Sequence, residues 1–296
     1  MNNTMRYQTT LAVLCLSAAS ILAADSSLDG KDQYTLFNPT PADLLRPMSS
    51  DKVGGASNPF TVDAGHVQIE SDLANWYIYT QRGTFADGAT YDYYEQELSW
   101  SPTVKLGLCN FADFEVSPSY IDHSWHQTGL SAPPIPTPYT TSYSHQYFGD
   151  TDVGFKINLW GNDGGMTALA ISPYIGIPAR RGEVVGGADV PFAVRLPMHF
   201  NIKYALGVHA IETGGQTIHG ELVNSLGLSR TFARKLTAFW DLEILATSQS
   251  SQQWWGYTGF GAGYKFTSNF EFYAAIRWGI GHAYDLNPNC GITWRY

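Results

Sequence analysis

The last eleven residues, Leu286 to Tyr296, do most to limit what this chain can become. From Pro288 onward bulky or apolar residues fall at every second position: Pro288, Cys290, Ile292, Trp294 and Tyr296. Asn289, Gly291, Thr293 and Arg295 lie between them. A period of two marks a strand with one apolar and one polar face. The sequence then ends on an aromatic residue. A soluble sheet seldom finishes this way. The closing strand of a transmembrane barrel must be complete to its end, and aromatics belong at the membrane interface.

The same alternation recurs along the chain. From Tyr91 to Leu108, Leu98, Trp100, Pro102, Val104, Leu106 and Leu108 share one face, opposite Glu95, Glu97, Ser99, Ser101, Thr103, Lys105 and Gly107. Phe270 to Ile280 repeats it with Phe270, Phe272, Ala274, Ile276, Trp278 and Ile280. Helical periodicity is hard to find, so no helix is at hand to cover these apolar faces. Turn signals punctuate the pattern at Asn110 to Asp113, Gly161 to Gly165, Ala233 to Lys235 and Thr267 to Asn269.

Strands are expected at His66 to Tyr79, Tyr91 to Leu108, Phe114 to Trp125, Tyr147 to Trp160, Met166 to Pro178, Val190 to Asn201, Lys203 to Glu212, Thr217 to Thr231, Leu236 to Leu245, Trp254 to Phe266, Phe270 to Ile280 and Leu286 to Tyr296. An even number closes an antiparallel sheet with both ends on one side. The fold class expected is therefore all-β: a transmembrane antiparallel up-and-down β-barrel of about 12 strands over residues 66-296. Short turns should lie on the periplasmic side. The longer loops should lie outside the cell: the proline-rich loop with Pro133, Pro134, Pro136 and Pro138, the loop with Arg180, Arg181, Gly186 and Gly187, and Ser248 to Gln253. Aromatics near strand ends, among them Trp76, Tyr77, Tyr79, Tyr93, Tyr94, Trp125, Tyr147, Phe148, Trp254, Trp255, Trp294 and Tyr296, are expected to form interface girdles. The plainer alternative is a soluble β-sandwich with an aromatic core.

Residues 1-24 read as a secretory signal. Arg6 is the sole charged side chain before Asp25, Leu11 to Leu22 is a short apolar run, and Ala23 and Ala24 follow. Cys15 is preceded by Leu14, not by the small residue that lipid attachment needs. Residues 25-65 form an irregular leader with Pro39, Pro41, Pro47, Pro59, Gly54 and Gly55. Mean hydropathy is −0.17, and beyond the signal no stretch approaches the ~18–20 apolar residues of a spanning helix. A barrel escapes such a scan because its apolar residues alternate with polar ones. The net charge of −9 becomes −10 once the signal takes Arg6 with it, which makes nucleic acid a poor partner. Cys109 and Cys290 fall at different heights on strands that are not neighbours, so two free thiols are expected.

Three segments resemble an outer-membrane family named for the meta pathway of phenol degradation. Asn58 to Glu70, NPFTVDAGHVQIE, resembles its opening strand; Gly149 to Lys156, GDTDVGFK, its early hairpin; Asp285 to Tyr296, DLNPNCGITWRY, its closing strand. The leader departs from the family pattern. Where a charged Asp-Arg-Pro-like segment is usual, this chain has Ser50-Asp51-Lys52-Val53-Gly54-Gly55. The resemblance implies an outer-membrane channel or transporter.

Charged side chains avoid lipid at a cost of ~2–4 kcal/mol for Arg or Lys near the midplane, so by parity they should face inward. The expected pore-lining set is Glu95, Glu97, Lys105, Glu115, Asp150, Asp152, Lys156, Arg195, Asp241, Glu243, Glu271 and Arg277, with Glu70, Asp72, Glu221, Lys265 and Arg295 on the same face. Such a set either fills a salt-bridged lumen or lines a water-filled pore whose charges set selectivity. The acidic excess would favour cations or polar neutral solutes. Gly259, Gly261 and Gly263 share an inward face and are expected to make room for neighbouring side chains.

Asp122, His123 and His126 could suggest a metal site, but positions three apart on a strand face opposite ways, so no metal or cofactor is expected. No G-x-S-x-G elbow or HExxH motif appears, so no catalytic residue is assigned. The expected function is passive passage of small solutes through a polar, acidic-leaning lumen. The alternatives are a closed structural barrel presenting surface loops and an outer-membrane lipid hydrolase. The expected partners are the lipid bilayer, the outer-membrane barrel assembly machinery and small solutes.

Overall fold

The computed structural model describes residues 30–130, 137–179, 184–213, 217–248, 254–281 and 283–296. The signal at 1-24 lies outside the described residues, as do Pro133, Pro134, Pro136, Arg180, Arg181 and most of the Ser248 to Gln253 loop.

Strands dominate: β1 (Val67–Thr84), β2 (Thr90–Trp100), β3 (Thr103–Cys109), β4 (Ala112–Leu130), β5 (Pro138–Trp160), β6 (Thr167–Ile177), β7 (Val185–Leu196), β8 (Phe200–Thr213), β9 (Thr217–Phe232), β10 (Leu236–Thr247), β11 (Trp254–Thr267), β12 (Phe270–Gly281) and β13 (Leu286–Arg295). All pairings are antiparallel, and β13 returns to β1 to close the sheet. β2 and β3 both lie between β1 and β4 and are the two halves of one stave, parted at Ser101-Pro102, where proline lacks the N–H that a ladder needs. The wall is thus a closed barrel of twelve staves. Residues 30–66 and Tyr296 meet at one end, which also carries the short turns. This is the turn end, and the opposite rim is the loop end.

The alternation places side chains as the pattern requires. Ile276, Trp278, Ile292 and Trp294 lie on the outer face, while Glu271, Tyr273, Arg277, Thr293 and Arg295 point inside. Leu98, Trp100, Phe155, Ile175, Val208 and Phe260 continue the exposed apolar belt. Inside, the three glycines of β11 make room: a Cβ on Gly261 would strike the Phe239 ring, one on Gly259 the Arg277 side chain, and one on Gly263 Glu271 and Val53. Cys109 and Cys290 are free thiols.

Several elements differ from the sequence expectation. β4 runs on to Leu130 and β5 starts at Pro138, well beyond the expected Trp125 and Tyr147. There the outward residues are polar, such as Asp122, Ser124, His126, Ser142 and Gln146, so alternation vanishes although the ladder persists. β1, β2, β4 and β5 together raise one side of the loop-end rim. β7 occupies Val185–Leu196, not Val190 to Asn201, because Pro191 is accommodated within the sheet opposite Ala205. The turn that follows is made by Met198 and His199 at φ of 62° and 63°, residue types that give no turn signal in the sequence. The girdle expectation is also corrected. Trp76, Tyr94, Phe148, Trp254 and Trp294 point outward, but Tyr77, Tyr79, Tyr93, Trp125 and Tyr147 share the inward parity of Glu95 and Glu97.

At the seam, Tyr296 N–H donates to the Val67 carbonyl at 2.8 Å, and Val67 N–H donates back to the Tyr296 carbonyl at 3.2 Å. Deleting Tyr296 removes both bonds and leaves the seam short at its end, which lipid cannot satisfy. The deletion should lower the yield of heat-modifiable folded barrel on a gel well below that of a one-residue deletion in the Ser248 to Gln253 loop. Equal yields would refute the seam's importance.

Candidate functional site

The lumen is occupied. The leader from Gly30 to Gly65 folds into the turn-end half of the barrel, and the wall is built to hold it. The lowest layer is a cluster around Asp63. Its side chain is fully buried and receives Arg46 Nε at 3.1 Å and Lys31 Nζ at 3.4 Å, while Arg46 N–H donates to its second oxygen at 3.0 Å. Asp163, from the β5–β6 turn, holds the same two cations at 3.2 and 2.8 Å. Arg46 also donates to Asn110 Oδ1 at 2.6 Å. Arg295 of β13 donates to the Arg46 carbonyl at 2.8 Å.

One layer higher lies the clamp. Asp51 of the leader reaches between Lys105 of β3 and Lys156 of β5, with Lys156 Nζ 2.6 Å from Oδ2 and Lys105 closer still. Lys105 also contacts Glu70 at 2.7 Å and Glu115 at 3.5 Å, and Lys156 contacts Glu115 at 3.3 Å. The other Asp51 oxygen accepts the Asn58 N–H at 2.6 Å. Burial opposes the charge on Asp51, but Lys105, Lys156 and that N–H prevail and hold its carboxyl far below its ordinary value of 3.8. Ser50 Oγ donates to Glu70 Oε2 at 3.1 Å and accepts from Thr293 Oγ1 at 2.8 Å, so it touches both strands of the seam.

A third layer caps the leader. Lys52 pairs with Asp72 at 2.7 Å, and the Tyr273 hydroxyl donates to the same carboxylate. Val53 packs on Phe239 and Tyr273. Lys203 Nζ donates to the Ser50 and Val53 carbonyls at 3.1 and 2.9 Å, and Lys265 Nζ to the Met48 carbonyl at 2.7 Å. Gly107 and Gly227 lie where the leader backbone comes nearest the wall. A Cβ on either would collide with a leader carbonyl, that of Asp63 or Gly54.

Beyond the leader the loop-end half is a vestibule. Glu95 accepts from the Tyr93 hydroxyl at 2.8 Å and faces His123 Nε2 at 2.9 Å. Glu97 and Glu243 lie nearby on β2 and β10. Rings line the passage: Tyr77 contacts Tyr257 and Tyr284 at centroid distances of 6.3 and 5.2 Å, and Tyr93 stacks on Trp125 at 6.0 Å. On the β5–β8 side, His209 faces Asp189 at 3.0 Å, beside Asp152 and Tyr174.

The twelve residues singled out in the sequence therefore divide. Lys105, Lys156 and Glu115 form the clamp. Asp241 pairs with Arg277 at 3.0 Å above the leader. Glu271 and Arg195 face a gap beside the leader. Glu95, Glu97, Glu243 and Asp152 belong to the vestibule. Asp150 lies next to Asp152, at the upper edge of the same side. It is exposed where the β4–β5 register slips, and its Oδ1 accepts the Ala179 N–H at 3.3 Å. Glu95 is matched by His123 across the ladder, a partner hidden by sequence distance. His123 and His126 face opposite sides, and no group of metal-ligating side chains occurs among the described residues.

Sequence reasoning missed Asp51, Asp63, Arg46 and Lys203. The first three lie in a segment without periodicity, and pattern gives them no face. For Asp51 the signal was the departure of residues 50–55 from the family's usual charged segment; Arg46 and Asp63 carried none.

No curated protein matches the chain. Among solved structures, an outer membrane channel from Pseudomonas putida F1 is similar over 87% of this chain and 99% of its own, at 9% identity and a TM-score of 0.49. The NanC porin is similar over 77% and 98%, at 10% identity and a TM-score of 0.45. The transport unit of the autotransporter AIDA-I from Escherichia coli is similar over 86% and 94%, at 9% identity and a TM-score of 0.47. A family model described as "Putative MetA-pathway of phenol degradation" matches residues 50–285, which runs from the clamp to the edge of the closing strand. A closed antiparallel barrel with an apolar outer belt is the fold of a membrane-spanning β-barrel, and it carries that match over most of its length. The chain belongs to this family, the one described as the putative MetA-pathway of phenol degradation.

Proposed function

We propose that the barrel lets small polar solutes diffuse across the outer membrane, through a lumen that is acidic in its loop-end half and occupied by the leader in its turn-end half. The observation that carries this reading is the inner wall itself. Charged and hydroxyl side chains face inward from the Asp63 cluster up to Glu95, a lining suited to water and solute. The reading divides the chain into an export signal at 1-24, a leader at 25-65 that seats in the lumen, and a barrel at 66-296 delivered to the membrane by the barrel assembly machinery. It contains no catalytic step. The seated leader favours a second reading, a closed barrel whose role is structural. Purified protein in a planar bilayer separates the two: stepwise conductance supports passage, and silence from a heat-modifiable, folded barrel supports the structural role.

In a conducting barrel, Glu95→Gln with Glu97→Gln should shift the reversal potential in a salt gradient toward lower cation preference. The two carboxylates lie on one inward face of β2, and His123 offsets one of them at most. An unchanged potential would remove the vestibule carboxylates from the permeation path.

A further inference from the structure

The leader does not fill the turn-end half evenly. Between it and the wall formed by β7 to β12 a cavity of about 230 Å³ remains. Arg195 of β7, Lys203 of β8 and Lys265 of β11 line it, with one carboxylate, Glu271 of β12; a fourth cation on the lining, Arg46, is already paired with Asp63 and Asp163. None of the other three cations is ion-paired among the described residues. Lys203 and Lys265 donate to neutral leader carbonyls, at 2.9 to 3.1 Å and 2.7 Å, and share the field of Glu271 without a close ion pair to it, which leaves spare N–H donors on both. The Arg195 guanidinium lies 5.0 Å over the Phe60 ring, with its donors turned to no described carboxylate. This contrasts with the other side of the leader, where Lys105 and Lys156 are matched by Asp51, Glu70 and Glu115.

Three cations against one carboxylate in a partly enclosed space carry a field that water screens poorly. Such a space draws in a counter-ion. The volume is many times the ~10–15 Å³ that a single water requires, room for a small anion with part of its hydration shell. Access exists from the turn end. A second cavity of about 970 Å³ shares Arg195, Asn201 and Thr231 with the first and continues past His199 and Arg234.

We infer that the gap between the leader and β7–β12 is a binding site for a small oxyanion, a carboxylate or a phosphate, held by Arg195, Lys203 and Lys265. Arg195 offers a fork of donors suited to two oxygens of one ligand. Lys203 supplies a point charge from the adjacent strand β8, and Lys265 one from β11. Ser229 and Asn201 provide neutral donors on the same lining. The site is distinct from the acidic vestibule and does not depend on solute passage.

The test uses full-length folded barrel in detergent and inorganic phosphate as probe, read by line broadening of the 31P resonance. Saturable broadening is expected, with affinity about tenfold weaker in Arg195→Gln and weaker again in Arg195→Gln with Lys265→Gln. Arg195 touches the leader only through the Phe60 ring, so Arg195→Lys, which keeps a cation over that ring but loses the fork of donors, is compared with Arg195→Gln to separate loss of the site from loss of that contact. Heat modifiability checks that each variant is folded. Succinate should compete with phosphate if the site reads the shared oxyanion chemistry. Absence of broadening in the wild type, equal affinity in the variants, or indifference to succinate would each overturn the inference. Conductance without phosphate binding would sink this site and spare the channel reading. Binding by a silent barrel would do the reverse.

Discussion

Gly227→Val should displace the leader and raise single-channel conductance severalfold while the barrel stays folded. Gly227 faces inward from β9, and a Cβ there would collide with the Gly54 carbonyl. The colliding atom is backbone, so no rotamer change relieves it. Overpacking of this kind costs about 1–3 kcal/mol even where side chains can yield. The outer face of β9 is untouched, since the next residue outward is Leu228. Gly107→Val should act alike, through the Asp63 carbonyl. Gly164→Ala is the control, because a Cβ there meets nothing within 4 Å. Proteolysis of the leader from the turn-end side should rise with conductance. Wild-type conductance together with wild-type protection in Gly227→Val would mean that the leader does not depend on this close approach.

Asp51→Asn should have a comparable effect by a different route. It keeps the size of the side chain but removes the anion that holds Lys105 and Lys156, whose side chains are 3% and 1% exposed. Removing one partner of a buried pair costs about 3–5 kcal/mol, because the remaining charges lose their compensation. Glu70 and Glu115 still contact the lysines, so the wall is buffered and the loss falls on the seating of the leader. Hydrogen exchange of backbone amides around Asp51 to Asn58 should accelerate, since the Asn58 N–H donates to this carboxylate. The same carboxyl sets a pH expectation. Its pKa is lowered on folding, so its contribution is fully present above the ordinary value of 3.8 and is lost only as pH falls below it. Exchange in this segment should therefore be insensitive to Asp51 between pH 5 and 8. Unchanged exchange in Asp51→Asn would show that the Asp63 cluster and the capping layer of Lys52, Lys203 and Lys265 seat the leader without the clamp.

Much of the wall was legible because a barrel that faces lipid on one side and polar matter on the other repeats one rule at every residue. β12 and β13 obey it throughout, and Trp278, Trp294, Arg277 and Arg295 lie where parity put them. Legibility failed where the environment ceased to be two-faced. The upper parts of β4 and β5 stand in water on the outside, so Asp122, Ser124 and Gln146 erase the contrast on which pattern depends. The tyrosines of the vestibule misled for a related reason: an aromatic near a strand end looks the same from either side, and only parity with Glu95 and Glu97 separates Tyr93 from Tyr94. The acidic excess read from composition was real but unevenly distributed. Asp51 and Asp63 carry much of it into the leader, where lysines and arginines consume it, and the gap beside the leader is basic. Charge counts along a chain cannot show which charges meet across it.

The contacts of the leader with the seam have a thermodynamic consequence. Ser50 bridges Glu70 on β1 and Thr293 on β13, and Arg295 of β13 holds the Arg46 carbonyl. The leader is therefore a ligand of the join between the first and last staves, tethered to β1 and so present at high effective concentration. Two events that share such contacts are linked, and linkage is reciprocal. If occupancy of the lumen strengthens the join, the join strengthens occupancy by the same free energy. A barrel emptied of its leader is then both more open and more easily unzipped at the β1–β13 edge, so the width of the lumen and the mechanical integrity of the wall draw on one coupled equilibrium.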